Sequence, residues 1–418
     1  MEVSSYTEFS NAIHNSVAAN AIPSNGTIEV SHRCPLTCAH CYNNLPMGDR
    51  GARALELSTD QHRRIADEIA EMGCLWLLYS GGEIFARRDF MDIYKHAKRA
   101  GLLITLFTNG VLINPQIADE LKEWRPFSIE ITLYGRTRET YERLTGIPGS
   151  FDKCMRGIEL LLERRLPLKL KAVAVSMNRH EVLAMRKFSR ELGVEFKFDP
   201  MINPRIDCSS SPLAVRLSPA DIVALDFEDP RRVEDLRRLG KHYPAPRLAE
   251  GEKPKLYQCG AGLNSFAIDP YGQLTMCILS HQEKFDLRTG SFRDGWSYLR
   301  NIRERPASMP TKCSSCDLRS MCGMCPAEGE LENGDPEKPV DFLCATAHLR
   351  AMALDIPVRA HGDCEFCEGG EMHHTLAPML EQARELVPHL SEEITMMAEL
   401  PPIESSGCGS GCTSCSVR

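Results

Sequence analysis

Apolar and polar positions in the first half of the chain follow two alternating periods. Strand-like runs stand at Thr27–Ser31, Leu75–Tyr79, Leu102–Phe107, Phe127–Leu133, Leu168–Val175 and Glu195–Phe198. Between them the apolar residues recur every three to four positions, as with Ile65, Ala66 and Ile69, which is the period of a helix with one buried face. The punctuation agrees. Ser58 and Asn114 are good N-caps, Pro115 suits a first helical position, and Gly73 and Gly101 are stop signals. Helices are therefore predicted from Ser58 to before Gly73, over Phe90–Arg99, from Pro115 to about Trp124, and over Phe151–Arg164 and His180–Leu192. Residues 1 to about 25 read as a short helix ending in the turn Pro23-Ser24-Asn25-Gly26.

Six strands joined by helical crossovers imply an α/β fold with a parallel sheet. Six units fall short of an eight-fold barrel, so the expected architecture is a partial (β/α)6 TIM-like barrel, with functional residues at the C-terminal strand ends. The pattern changes near residue 205. The expected division is a lead-in at 1–25, the barrel at 26–210, a helical connector rich in Pro, Arg and Asp at 211–258, a small loop-rich cysteine domain at 259–350, and a Cys/His extension at 351–418 whose Gly/Ser-rich tail is expected to be flexible.

Composition narrows the function. At 418 residues, 43% apolar and 25% charged, the chain is an ordinary globular protein. A net charge of −8 argues against a nucleic-acid surface and gives no reason for an anionic membrane partner. There is no run of 18 apolar residues, so no membrane helix is expected. No Lys or Arg precedes Arg33, so no secretory signal is expected either. In the reducing cytoplasm this implies, the 18 cysteines read as metal or redox ligands and not as disulfides.

The first cluster is Cys34-Pro-Leu-Thr-Cys38-Ala-His-Cys41-Tyr, just after the first strand. Three thiolates can hold three corners of a cubane iron–sulfur cluster and leave the fourth iron open for reaction. A structural zinc loop with His40 as fourth ligand is the competing reading. The Cys-x3-Cys-x2-Cys loop resembles the signature of the radical S-adenosylmethionine (SAM) superfamily. Ser80-Gly81-Gly82-Glu83, after the second strand, is similar to its second motif, in which the backbone and the Glu83 carboxylate would receive the SAM ammonium. Where many relatives have Pro after this Glu, the chain has Ile84. The resemblance further implies that Thr132 contacts SAM, that Arg143 pairs with its carboxylate, and that Asn178 lies near its ribose. Tyr134 stands where an Asp is usual.

The second cluster runs Cys259-x12-Gly272-x4-Cys277, then Cys313-x2-Cys316-x5-Cys322-x2-Cys325, then Cys344. It resembles the SPASM domain, which carries two auxiliary iron–sulfur clusters, and zinc knuckles are the alternative. The resemblance implies one cluster on Cys313, Cys316, Cys322 and Cys344, and another on Cys259, Cys277 and Cys325 with its fourth ligand unassigned. Both are expected to be 4Fe-4S clusters, as is the one that binds SAM.

Cys74, Cys154 and Cys208 are expected to be small buried residues, with Cys208 the best functional candidate of the three. Cys364-x2-Cys367 sits near His361, His373 and His374, and Cys408-x3-Cys412-x2-Cys415 repeats the spacing of the first loop in the tail. A flexible end, a further metal site or thiol relay, and a substrate-like tail all remain open for this extension.

The resemblance implies an enzyme that reductively cleaves SAM to a 5′-deoxyadenosyl radical and abstracts hydrogen from a substrate, expected to be a ribosomally made peptide. A separate peptide-carrier protein and an electron donor such as flavodoxin or ferredoxin are the expected partners. A porphyrin or haem precursor is the alternative substrate, and a non-enzymatic iron–sulfur carrier the alternative of another class.

Overall fold

The computed structural model describes residues 15–242 and 253–387. The chain forms two compact units, one from residues up to 216 together with 258–304, the other from 217–257 and from 305 onward. The stretch 259–350, one domain by motif, is thus shared between them.

In the first unit, strands β1 (Asn25–Glu29), β2 (Trp76–Ser80), β3 (Leu103–Thr108), β4 (Ser128–Thr132), β5 (Leu168–Val173) and β6 (Glu195–Asp199) pair in chain order, all parallel. Helices α1 (Thr59–Glu71), α2 (Phe90–Arg99), α3 (Pro115–Glu123), α4 (Arg138–Thr145), α5 (Ser150–Glu163) and α6 (Val182–Glu191) lie between them in sequence. Local chemistry sets the boundaries. Ser58 and Gln61 form a capping box at the start of α1. Asn114 Oδ1 accepts from the Ile117 amide at 2.9 Å, with Pro115 in the first turn of α3. Helix α4 was absent from the sequence reading, although Thr137 caps it and Gly146, at φ +69°, ends it in the left-handed region. Ile28, Leu77, Ile104, Ile129 and Leu170 are buried along the strands.

Among the described residues the sheet has nine strands, where the hydrophobic pattern predicts six. Strand β7 (Ser265–Ile268) returns to lie parallel beside β1, with Asn25 opposite Ser265 and Ile28 opposite Ile268. Strands β8 (Gln273–Thr275) and β9 (Phe285–Asp286) continue it antiparallel. Gly26 makes room for this return, since a Cβ there would lie 2.5 Å from the Phe266 ring. Helices α7 (Pro219–Phe227) and α8 (Pro230–His242) belong to the second unit. Helix α9 (Phe292–Arg303) belongs to the first, where Trp296 donates to the Ala21 carbonyl at 2.8 Å and packs against Phe292 and Phe266.

The second unit also holds α10 (Pro326–Asn333), α11 (Asp341–Ala353) and α12 (Leu376–Leu386). Helix α11 is buried on nearly every side, and Leu349 packs with Ala220, Val223, Ala224, Leu376 and Leu380. Within this core the fully buried Asp226 carboxylate pairs with Arg350 at 2.8 Å and with Arg232, while Arg350 also donates to the Met321 carbonyl at 2.9 Å. Burial alone would raise the Asp226 pKa, but the two guanidinium charges hold it below the usual carboxylate range. Among the described residues no helix is long and apolar enough to cross a membrane.

Candidate functional site

The three-thiol loop leaves the C-terminal end of β1, where a parallel sheet presents its functional residues. It is fixed along its length. The Thr37 and Ala39 amides donate to the Thr145 and Leu144 carbonyls at 2.9 and 3.1 Å. Arg205 donates to the carbonyls of Cys41 and Asn44 at 3.1 and 3.0 Å. Beneath the loop, the buried Glu29 carboxylate accepts from Tyr42 at 2.7 Å and Asn43 at 2.6 Å.

Each sulfur has a polar neighbour. Cys34 Sγ accepts from the Leu36 amide and from Asn109 Nδ2, each at 3.4 Å. Cys38 shares a hydrogen bond with Tyr134. Cys41 Sγ lies 3.5 Å from Asn43 Oδ1. Burial, the Glu83 charge and the Cys41 charge push the Cys34 thiol up to about 12, despite the two hydrogen bonds to its sulfur. Burial likewise raises Cys38 and Cys41, and the Cys41 and Cys34 charges raise Cys38 further. Three thiols of one loop, one buried and two half-buried, that resist ionising suit a multiply charged metal centre, which neutralises thiolates as it binds them. His40, the fourth ligand of the zinc reading, has a buried Nδ1 without a hydrogen-bond partner, and burial lowers its pKa to about 4. Among the described residues, His40 and the three thiols are not drawn together within 4.8 Å as one ion would require.

The second motif is locked to this loop. The Gly82 amide donates to the Ser31 carbonyl at 2.7 Å and the Glu83 amide to the Arg33 carbonyl at 3.1 Å. A Cβ on Gly81, at φ +132°, would lie 2.2 Å from the Ser31 oxygen, and one on Gly82 would lie 2.4 Å from the His32 oxygen. The glycines therefore serve backbone approach to the chain's own cysteine loop. The buried Glu83 carboxylate accepts from Thr108 Oγ1 at 2.7 Å, the Asn109 amide at 2.9 Å and the Phe85 amide at 3.2 Å. These bonds tie it to the end of β3 and leave about one of its four lone-pair positions for another donor.

The remaining expected contacts have distinct placements. Thr132 ends β4 and is half-buried. Arg143, exposed on the last turn of α4, donates to the Met177 carbonyl at 2.9 Å. Asn178 is fully buried. Its Nδ2 donates to the Tyr134 and Val173 carbonyls, each at 3.0 Å, and its Oδ1 accepts from the Val175 amide at 2.8 Å. Asn178 thus braces the ends of β4 and β5. Asn178→Ala is expected to lower unfolding stability by about 1–3 kcal/mol in an anoxic urea titration. A residue serving only a ligand would leave that stability unchanged.

Sequence reasoning missed Glu29 and Asn109 and treated Tyr134 only as a departure. Asn109 and Tyr134 follow strand ends, so the strand-end rule was the available signal. Cys74 and Cys154 are buried, and burial pushes both thiols up to about 12. Cys208 is instead exposed, at φ +64°. Cys259 and Cys277 lie in the first unit and Cys325 in the second. In the second unit, Cys316, Cys322 and Cys344 each lie close enough to Cys313 for its charge to raise their pKa, after burial as the larger cause. Cys408, Cys412 and Cys415 lie outside the described residues.

Residues 28–188 match the family described as the Radical SAM superfamily. That stretch is a radical SAM domain, which marks the protein as an enzyme and implies SAM and a 4Fe-4S cluster as its cofactors. The chain is 28% identical to PqqA peptide cyclase of Bradyrhizobium diazoefficiens, over 78% of this chain and 87% of that protein. It is 25% identical to AdoMet-dependent heme synthase of Methanosarcina barkeri, over 73% and 92%. The structure of Streptococcus suis SuiB bound to precursor peptide SuiA shares the fold, with a TM-score of 0.60 at 19% identity, covering 82% of each chain.

Proposed function

We propose that this enzyme modifies a ribosomally made peptide, with Cys34, Cys38 and Cys41 as the cluster ligands. The observation that carries the reading is the three-thiol loop at the end of β1, joined to the Gly81–Glu83 loop by paired backbone bonds. When bound, the reduced cluster and SAM supply a 5′-deoxyadenosyl radical that removes a hydrogen atom from the substrate. The protein's own part is to hold and orient. Leu36 and Asn109 direct the Cys34 sulfur, and Tyr134 directs Cys38. Glu83 has a lone pair left for the SAM ammonium, and Thr132 and Arg143 are assigned to the rest of that ligand. The peptide substrate is supported by the likeness to PqqA peptide cyclase along most of both chains. The haem-synthase relative supports a tetrapyrrole substrate as the second reading, at lower identity.

Cys313, Cys316, Cys322 and Cys344 are proposed to hold an auxiliary cluster. A second auxiliary cluster, with Cys259 and Cys277 among its ligands, rests on the motif spacing. A separate carrier protein would present the peptide, and flavodoxin or ferredoxin would supply electrons.

The test is anoxic assay of the reconstituted protein with SAM and dithionite, then with a peptide encoded beside its gene. Formation of 5′-deoxyadenosine, coupled to loss of hydrogen from the peptide by mass spectrometry, is the expected result. SAM cleavage that proceeds only with a tetrapyrrole would replace the peptide reading. Cys313→Ala is expected to retain uncoupled SAM cleavage and to stop product formation. Product at the parental rate would remove the auxiliary cluster from the mechanism.

A further inference from the structure

The second unit holds a side-chain cluster that the radical chemistry does not use. We propose that His348, His361, Cys364 and Cys367 bind a zinc ion in a closed structural site, distinct from the iron–sulfur cysteines. All four residues are buried, and one donor atom from each lies within 4.8 Å of the others. Cys364 and Cys367 are not joined in a disulfide.

The distances fit one ion. His348 Nε2 lies 3.7 Å from Cys364 Sγ and 3.6 Å from Cys367 Sγ, and His361 Nδ1 lies 3.4 Å from Cys367 Sγ. With Zn–S near 2.3 Å and Zn–N near 2.0–2.1 Å, the nitrogen–sulfur edge of a tetrahedron around zinc is about 3.6 Å. A two-iron cluster with mixed ligands places its imidazoles and thiolates on different irons, which would separate them further. A cubane spreads its cysteines over separate irons. Two thiols and two imidazoles are also the wrong donors for magnesium or calcium, which take oxygen.

The surroundings are arranged for ligation. His348 lies on α11, and its Nδ1 faces the Cys344 carbonyl at 2.9 Å. That contact fixes the tautomer with Nε2 left to face both sulfurs, as metal-binding histidines are commonly held. His361 Nδ1 is also 2.9 Å from the Arg359 carbonyl, a contact the ion would replace. The Cys-x2-Cys turn is tight. The Cys367 amide donates to the Cys364 carbonyl at 3.3 Å and the Gly370 amide to the Cys367 carbonyl at 2.9 Å. A Cβ on Gly370 would lie 2.3 Å from the Glu365 oxygen, so the turn requires glycine. His373, close in sequence, is turned elsewhere, with its Nδ1 3.0 Å from the Phe366 carbonyl.

Four protein ligands leave no open position, which makes the site structural and not catalytic. The ion would fasten the 361–367 loop to α11, one helical turn beyond Cys344. The proposal does not depend on the peptide reading, because it requires neither SAM nor substrate.

The test uses the full chain, purified anoxically, reconstituted with iron and sulfide, and analysed for both metals. About one zinc per chain is expected. Its X-ray absorption edge should show two sulfurs at about 2.3 Å and two nitrogens at about 2.0–2.1 Å. His361→Ala and Cys367→Ala should each lower zinc by at least about tenfold, with iron content and SAM cleavage kept. Absence of zinc from the parental protein, or a zinc shell of other composition, overturns the proposal. So does a fall in iron alongside zinc in the variants, which would make these residues cluster ligands. Should a variant fail to fold, the absorption spectrum of the parental protein decides alone.

Discussion

Replacing Cys38 with alanine is expected to abolish reductive cleavage of SAM. Cys38 is the middle of the three sulfurs, and its loop is fixed on both flanks through Thr37 and Ala39 to the end of α4. A fixed loop cannot swing another donor into the vacant place. His40 is the nearest candidate in sequence, and it does not gather with the thiols. The loss of 5′-deoxyadenosine formation should therefore exceed the 10–100-fold typical of losing an outer partner of a metal site. The assay is chromatography of deoxyadenosine from anoxic, dithionite-reduced protein, with the iron content measured alongside. Deoxyadenosine at the parental rate would show that this loop does not hold the reaction centre.

Asp226→Ala should have the largest effect on stability. It removes the only acid paired with Arg350 among the described ion pairs and leaves that guanidinium buried in the second unit, with the Met321 carbonyl as its remaining partner. Arg232 is partly exposed and can turn to water. Stripping one partner from a buried pair costs about 3–5 kcal/mol. Anoxic urea denaturation should show that loss in the second unit's transition, and a change below about 1 kcal/mol would contradict the arrangement. The pH dependence has a fixed sign. The folded carboxyl titrates below its unfolded value of about 3.9, so its contribution is full above that pH. It disappears as the pH falls through the folded value, and the parental protein should lose more stability there than Asp226→Ala does.

The barrel strands were legible because each is a short run, apolar or alternating apolar with polar, set between helices with one buried face. Ser58, Asn114 and Pro115 mark helix starts by chemistry that acts within three residues, so their boundaries could be read locally. Strand β7 could not be read in this way. Its four residues lie far along the chain from β1, and the pairing depends on the absence of a side chain at Gly26. Helix α11 was hidden for a different reason. It is buried almost all round, so it has no polar face to set a period. The same helix hid His348. The Cys364-x2-Cys367 spacing pointed to His361, but also to His373 and His374, whereas the fourth donor comes from a helix thirteen residues upstream of His361. The glycines of the second motif were legible as a need for close approach, but what they approach is the chain itself.

Because β1 lies between β2 and β7, the strand that carries the three-thiol loop gets its second neighbour late in synthesis. The other barrel strands are complete in the sequence by residue 199, while β7 begins only at Ser265. Until β7 is made, that side of β1 lacks its strand partner, and an unpaired strand edge is open to pairing with another molecule. A barrel half cut away at residue 216 would lack that partner permanently and is expected to associate through the edge.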